Sequence, residues 1–78
     1  MQVDIISPEK KLYSGQADAI QFPGIQGRFQ VLENHADLIS TLTSGEIVME
    51  VKGQQPQIFP IKGGVVEVRD NKVSVLAD

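Results

Sequence analysis

The sequence contains no cysteine and no tryptophan, and a single histidine, His35. Without cysteine there is no disulfide framework and no thiolate metal site, which fits a reducing compartment. Aromatic residues are scarce: Tyr13, Phe22, Phe29 and Phe59. Any core must therefore be built mainly from Val, Ile and Leu. Positive charge is thin as well. Seven Lys and Arg stand against ten Asp and Glu, for a net charge of −3. No basic cluster exceeds the pair Lys10–Lys11. Phosphate neutralisation carries most nucleic-acid affinity, so a nucleic-acid partner is excluded. No basic patch followed by an apolar run opens the chain, so no signal peptide is visible. No stretch approaches the roughly 18 apolar residues that a membrane helix needs, so direct membrane insertion is not expected.

What is present has the balance of an ordinary globular domain, 41% hydrophobic and 22% charged in 78 residues. That length suits a single domain over 1–78 with one core. A chain this short buries only about 60% of its unfolded surface, so a partner would add to its stability. Apolar residues alternate with polar ones in short runs: Val3 and Ile5, Ile20 and Phe22, Phe29 and Val31, Ile47, Met49 and Val51, Val66 and Val68, Val73 and Val75. Successive side chains of a strand point to opposite faces, so each run wets one face and buries the other. Turn signals stand between the runs at Pro23–Gly24, Ser44–Gly45, Lys52–Gly53, Gly63–Gly64 and Asp70–Asn71. Pro23, Gly24 and Gly27 read as a tight hairpin, and Gly63–Gly64 as a close approach or bulge. Leu38, Ile39 and Leu42 have helical spacing, but Ser40, Thr41 and Thr43 favour a strand, and the segment is assigned as one. Pro8 and Pro60 each lack a ladder donor and belong at edges, strand starts or bulges. The sum is an all-β sandwich or small barrel.

The chemistry of an enzyme is not legible. A triad would have to recruit His35, Ser40 and Asp37, and nothing in their spacing specifies one. The glycines lack the lysine and helix start of a phosphate-binding loop. One histidine and scattered carboxylates give no metal-ligand spacing. Glu46, Glu50 and Glu67 read as a solvated face, with cross-strand partners available in Lys62, Arg69 or Lys72. No catalytic residue, cofactor, metal or small-molecule substrate is assigned. A binding or structural module is the reading that remains. A peptide-recognising adaptor and, far behind it, a small hydrolase around His35 are its rivals.

The order of the segments says more. Ser7-Pro8-Glu9-Lys10-Lys11-Leu12-Tyr13-Ser14-Gly15 opens a series. It continues with Pro23-Gly24, Gly27-Arg28-Phe29-Gln30-Val31-Leu32, Asn34-His35-Ala36-Asp37-Leu38 and Leu42-Thr43-Ser44-Gly45. It ends with Ile61-Lys62-Gly63-Gly64-Val65-Val66-Glu67-Val68 and Asp70-Asn71-Lys72-Val73-Ser74-Val75-Leu76-Ala77-Asp78. In this order and spacing the series resembles the N-terminal β-sandwich of the epsilon subunit of bacterial F-type ATP synthases, whose mitochondrial counterpart is the delta subunit.

The resemblance implies a flattened sandwich or barrel of two five-stranded sheets, without catalysis of its own. It implies a rotor part in the central stalk, packed on the gamma subunit and touching the polar loops of the membrane c-ring. It would couple ion translocation to ATP synthesis from the cytoplasmic face of the bacterial inner membrane. Ser7, His35 and Ser40 match the gamma-facing side, and Gly27 and Arg28 the c-ring-facing turn. Several positions depart from the family pattern. Arg28 stands where many members carry an acidic residue. Glu33 and Asn34 replace a Pro-Gly, and Asp37 replaces a proline, which predicts a looser loop around His35. No C-terminal helical hairpin follows Asp78. The expectation is a natural short form, with an engineered truncation as the alternative, and in either case a molecule that neither inhibits hydrolysis through such helices nor binds ATP. An interface needs an exposed apolar patch, expected around Val48 and Leu38–Ile39.

Overall fold

The alternating runs settle into nine strands and no helix in a computed structural model that describes all residues, Met1–Asp78. The strands are β1 (Gln2–Ile6), β2 (Lys11–Gln16), β3 (Ala19–Gly24), β4 (Gly27–Leu32), β5 (Leu38–Leu42), β6 (Gly45–Glu50), β7 (Gln57–Ile61), β8 (Gly64–Arg69) and β9 (Lys72–Ala77). One layer runs β2-β1-β9-β8-β5, and the other runs β4-β3-β6-β7. The first has the five strands expected of it, and the second has four. All pairings are antiparallel except β1 with β9. The layers join through one bridge, Gly24 to Leu42, which makes the sheet continuous and nearly closes a barrel.

Sixteen buried apolar side chains form one cluster between the layers, and no polar or charged residue is buried. Every apolar alternation supplies it: Val3 and Ile5, Ile20 and Phe22, Val31, Ile47 and Met49, Val66 and Val68, Val73 and Val75. Phe22 is the one aromatic ring fully enclosed, and Phe29 packs on it at a centroid distance of 5.4 Å. β-Branched side chains fill a thin sandwich well because their bulk sits close to the pleated backbone. Leu38–Leu42 is a strand, as its Ser and Thr content indicated.

Two turn assignments resolve in different ways. Asp70 and Asn71 are the central residues of the β8–β9 hairpin, with φ of 51° and 61°. Those values mark a type I′ turn, for which Asp and Asn are suited. The tight hairpin read at Pro23, Gly24 and Gly27 is present, closed by the Gly24–Gly27 pair, but Pro23 and Gly24 end β3, and Ile25 and Gln26 make the reversal. Gly24 is needed because a Cβ there would lie 2.6 Å from the Gly27 carbonyl oxygen and 2.9 Å from the Phe29 ring. Pro60 lies in β7, an edge strand, as its missing donor requires.

Gly64 is the tightest close approach. Its φ is +149°, and a Cβ would stand 2.3 Å from the Leu76 carbonyl oxygen. Gly27 has a comparable φ of +126° but nothing within 4 Å. Gly64→Ala should therefore lower stability by about 2 kcal/mol or more, through strain plus backbone collision. Gly27→Ala should cost about 1 kcal/mol, from strain alone. Urea unfolding of the two variants against the parent measures the difference.

Candidate functional site

No three His, Asp or Glu side chains gather closely enough to hold a metal ion. The residues that a triad would have recruited have other partners. His35 Nδ1 lies 2.8 Å from its neighbour's carbonyl oxygen on Ala36, Ser40 Oγ donates to the Thr41 carbonyl, and Asp37 accepts from the Asp70 amide. The recognisable sites are therefore surfaces.

The outer face of the five-stranded layer carries a row of apolar residues. Ile6 pairs with Leu76, Leu76 with Val65, and Val65 with Thr41. Ile6 is 37%, Leu76 60% and Val65 42% exposed, and Ile39 one step along β5 reaches 72%. On the other layer Val48 is half-buried beside its cross-strand partner Ile58, which is exposed. Apolar surface is thus present at both expected places, Ile39 and Val48, but on opposite layers rather than as one patch, with Leu38 turned inward and packed on the core. The Ile6–Leu76–Val65 row escaped the sequence reading. Its signal was there: Leu76 shares the outward parity of Ser74 and Lys72, and Val65 that of Glu67. The carboxylates of Glu46, Glu50 and Glu67 stay exposed and form no ion pair, so the suggested cross-strand pairing does not occur. Register explains this, because Glu46 faces Pro60, and Glu67 faces Ser74 and Ile39.

The five residues singled out in the sequence do not form one patch. Ser7 lies in the β1–β2 turn, where its amide and hydroxyl both donate to the Lys10 carbonyl. That turn adjoins Ala77 at the end of β9. His35 lies beside the β8–β9 turn at the beginning of β9, because its neighbour Asn34 bonds Asn71. The six residues of β9 separate the two ends by about 17 Å, at a rise of about 3.3 Å per residue. Ser40 lies between them on the core side of β5, facing Val66, yet remains half-buried. Ser40, Gly27 and Arg28 do come together, lining one groove with Ile25, Phe29 and Ile39. Arg28 is exposed, and its Nε donates weakly to Gln21 Oε1 at 3.4 Å.

Around His35, the residues from which a looser loop was expected, Glu33, Asn34 and Asp37, each make a hydrogen bond to the β8–β9 turn. Asn34 takes the left-handed conformation, with φ of 61°. Its amide donates to Asn71 Oδ1 at 2.7 Å, and Asn71 Nδ2 donates to Glu33 Oε1 at 2.8 Å. The Asp70 amide donates to Asp37 Oδ1 at 3.1 Å, and the His35 amide to the Leu32 carbonyl at 3.1 Å. Glu33 also receives the Met1 ammonium on both carboxylate oxygens, at 2.7 Å each, and that ammonium donates to the Ala17 carbonyl as well. The ammonium contact, then the Asn71 amide, hold the Glu33 carboxyl below its ordinary value. Asp4 is lowered too, first by the Ser14 hydroxyl at 2.6 Å.

Comparison with known proteins places this geometry. The family described as the ATP synthase delta/epsilon chain β-sandwich domain matches residues 1–78. The ATP synthase epsilon chain of Leptospira interrogans is 43% identical over 79 residues, covering 100% of this chain and 61% of that one. The epsilon chain of Chlorobaculum tepidum is 37% identical over 76 residues, covering 97% of this chain and 86% of that one. The chain thus spans about three fifths of the length of the Leptospira relative. Two solved assemblies contain a chain of the same fold. One is the mitochondrial ATP synthase of Euglena gracilis, resolved as OSCP/F1/c-ring, with a TM-score of 0.89 and 21% identity, covering 96% of this chain and 48% of that one. The other is the central stalk and c-ring of the Tetrahymena thermophila mitochondrial enzyme, with a TM-score of 0.83 and 18% identity, covering 97% and 61%.

The Glu33 cluster has a pH signature. A carboxyl lowered in the folded state contributes stability that is fully present above its ordinary value of 4.5. That contribution is lost as pH falls through the lower folded value. Glu33→Gln should therefore reduce stability at neutral pH, and the gap to the parent should narrow as pH falls below 4.5. Urea unfolding at a series of pH values reads this directly; a gap independent of pH would remove the charge from the account.

Proposed function

The chain belongs to the ATP synthase delta/epsilon β-sandwich family, a family of non-catalytic subunits, and from that premise we propose that it serves as a coupling part of the rotor. In this reading it links the gamma subunit to the c-ring and helps transmit torque between ion translocation and ATP synthesis. It does so as a peripheral component at the cytoplasmic face of a bacterial inner membrane. No helix of the chain is long and apolar enough to cross a membrane. The observation that carries the reading is the family match over residues 1–78, at 43% identity to an epsilon chain. The two assemblies that share the fold are resolved with the c-ring, one of them as the central stalk.

The surface suits such a role. A standard interface takes about 800 Å² from each partner. That is roughly a sixth of the 4793 Å² that this chain exposes. The apolar row Ile6–Leu76–Val65 and the exposed Ile39 offer area of the right kind on one layer. Ser7, Ser40 and His35 are proposed on the gamma side. They are distributed along the strands, so gamma would lie lengthwise on the domain rather than cap one end. Gly27 and Arg28, at the β3–β4 tip, are proposed to meet a polar loop of the c-ring.

Titration calorimetry and gel filtration with the cognate gamma subunit, without nucleotide, test the proposal. A one-to-one complex is expected, weakened at least about fivefold by His35→Ala or Ser40→Ala. Absence of a complex at tens of micromolar, about the affinity of a weak transient contact, would sink the gamma assignment.

A further inference from the structure

A two-layer sandwich has four strand edges, and each exposes backbone donors and acceptors unless something covers them. Three are managed here. β2 carries a bulge against β1 between Ile5 and Ile6, and its Tyr13 ring meets Phe59 of β7 at a centroid distance of 6.0 Å. β7 holds Pro60, which removes a donor. β5 is crossed near its end by the β3–β4 tip, where the Ile25 amide donates to the Thr41 carbonyl at 3.0 Å. The fourth, β4, pairs with β3 alone and has no proline, no bulge and one charge, Arg28.

The direction of the β4 peptide groups follows from its neighbours. The Pro23 carbonyl accepts from the Thr43 amide at 2.8 Å, on the side of β3 away from β4. Pro23 and Arg28 therefore exchange no ladder bond, and in an antiparallel pair the alternate residues behave alike. Arg28 and Gln30 turn their N–H and C=O groups to the free edge, while Phe29 and Val31 are held by Phe22 and Ile20. Beyond Gln30 the edge is closed, because the Leu32 carbonyl accepts from the His35 amide. The open stretch borders the groove between the β3–β4 tip and β5, where Ile25 is 65% and Ile39 72% exposed. Arg28 is the one charged residue lining that groove, and no carboxylate lies within ion-pair distance of it.

We propose that the free edge of β4 at Arg28–Gln30 is a strand-addition site for an extended segment of a partner chain, with a carboxylate set opposite Arg28 and an apolar side chain resting on Ile25 and Ile39. Main-chain bonds from Arg28 and Gln30 supply the pairing, and the cross-strand charge pair supplies the register. The inference goes beyond the rotor reading, since it states how a segment is recognised and holds whichever subunit provides it.

The test is amide NMR on the 15N-labelled 78-residue chain. The probes are two capped pentapeptides, Thr-Val-Glu-Val-Thr and the same peptide with Lys in place of Glu. Shifts and slowed hydrogen exchange are expected at the Arg28 and Gln30 amides, with Phe29 and Val31 already slow before addition. The Glu peptide should bind at least about fivefold more tightly, and Arg28→Glu should invert that preference. A Glu peptide N-methylated at alternate amides should lose binding. No binding at about 5 mM, no charge preference, or shifts centred away from β4 would each overturn the proposal. So would dimerisation of the chain through β4, which would assign the edge to a second copy. Arg28→Glu also separates the two readings: a gamma complex that survives it leaves the rotor assignment standing whatever the peptides do.

Discussion

β3 is the strand on which the two-layer arrangement depends. It pairs with β4 along one side for its full length. On its other side it pairs with β6 from Ala19 to Gln21, then leaves that strand and meets β5 at Gly24. A strand can change partners only where no ladder donor is left unsatisfied. Pro23 meets the condition: it has no N–H to lose, and its carbonyl is taken by the Thr43 amide. Gly24 completes the change, because its missing Cβ leaves room for the Phe29 ring. Without this exchange no strand of one layer would pair with a strand of the other, and the sheet would not be continuous around the cluster of sixteen apolar side chains.

The same dipeptide shows where sequence reasoning reaches its limit. Pro-Gly is a strong local turn signal, and locally nothing distinguishes a turn from a strand end that changes partners. The reversal falls on Ile25 and Gln26, neither of which is a favoured turn residue; the deciding contacts come from Thr41 and Thr43, distant in sequence. Alternation fared better because it is a local consequence of the pleat. Val3 and Ile5 or Val73 and Val75 are buried wherever their strand lies in the sheet, so long as one face is covered. The Asp70–Asn71 hairpin was legible for a similar reason, since the left-handed turn is a property of those two residues.

Surfaces are harder to read, because they depend on which strands become neighbours. Ile6, Leu76 and Val65 are far apart in the chain and form a row only because β1, β9 and β8 are adjacent in that register. Ser7 and His35 could be singled out by type and motif, but not placed at opposite ends of β9. The loop at His35 carries the same lesson with the opposite sign. Glu33, Asn34 and Asp37 in place of stiffer residues suggested slack. Their side chains and amides bond the β8–β9 turn, a tertiary tie that local residue types do not announce. Such ties are invisible in sequence, since Asn71 is 38 residues from Glu33.

Ser40 brings the fold and its proposed use together. It faces the core side of β5 opposite the fully buried Val66, a position where a hydroxyl would ordinarily be costly. It is tolerated because the groove beside the β3–β4 tip lets water reach it, as its half-buried state records. The opening has a structural origin in the partner change on β3: the tip leans on β5 at Thr41 and leaves β4 without a second neighbour. Closing the sandwich fully would have required a fifth strand in the second layer, beside β4. The residues that mark the gap, an uncovered Arg28 between two exposed isoleucines, are those that a strand arriving from another chain would cover. The missing strand of the second layer and the exposed edge are therefore one feature, and a partner that fills it would complete in the assembly the barrel that this chain leaves unfinished.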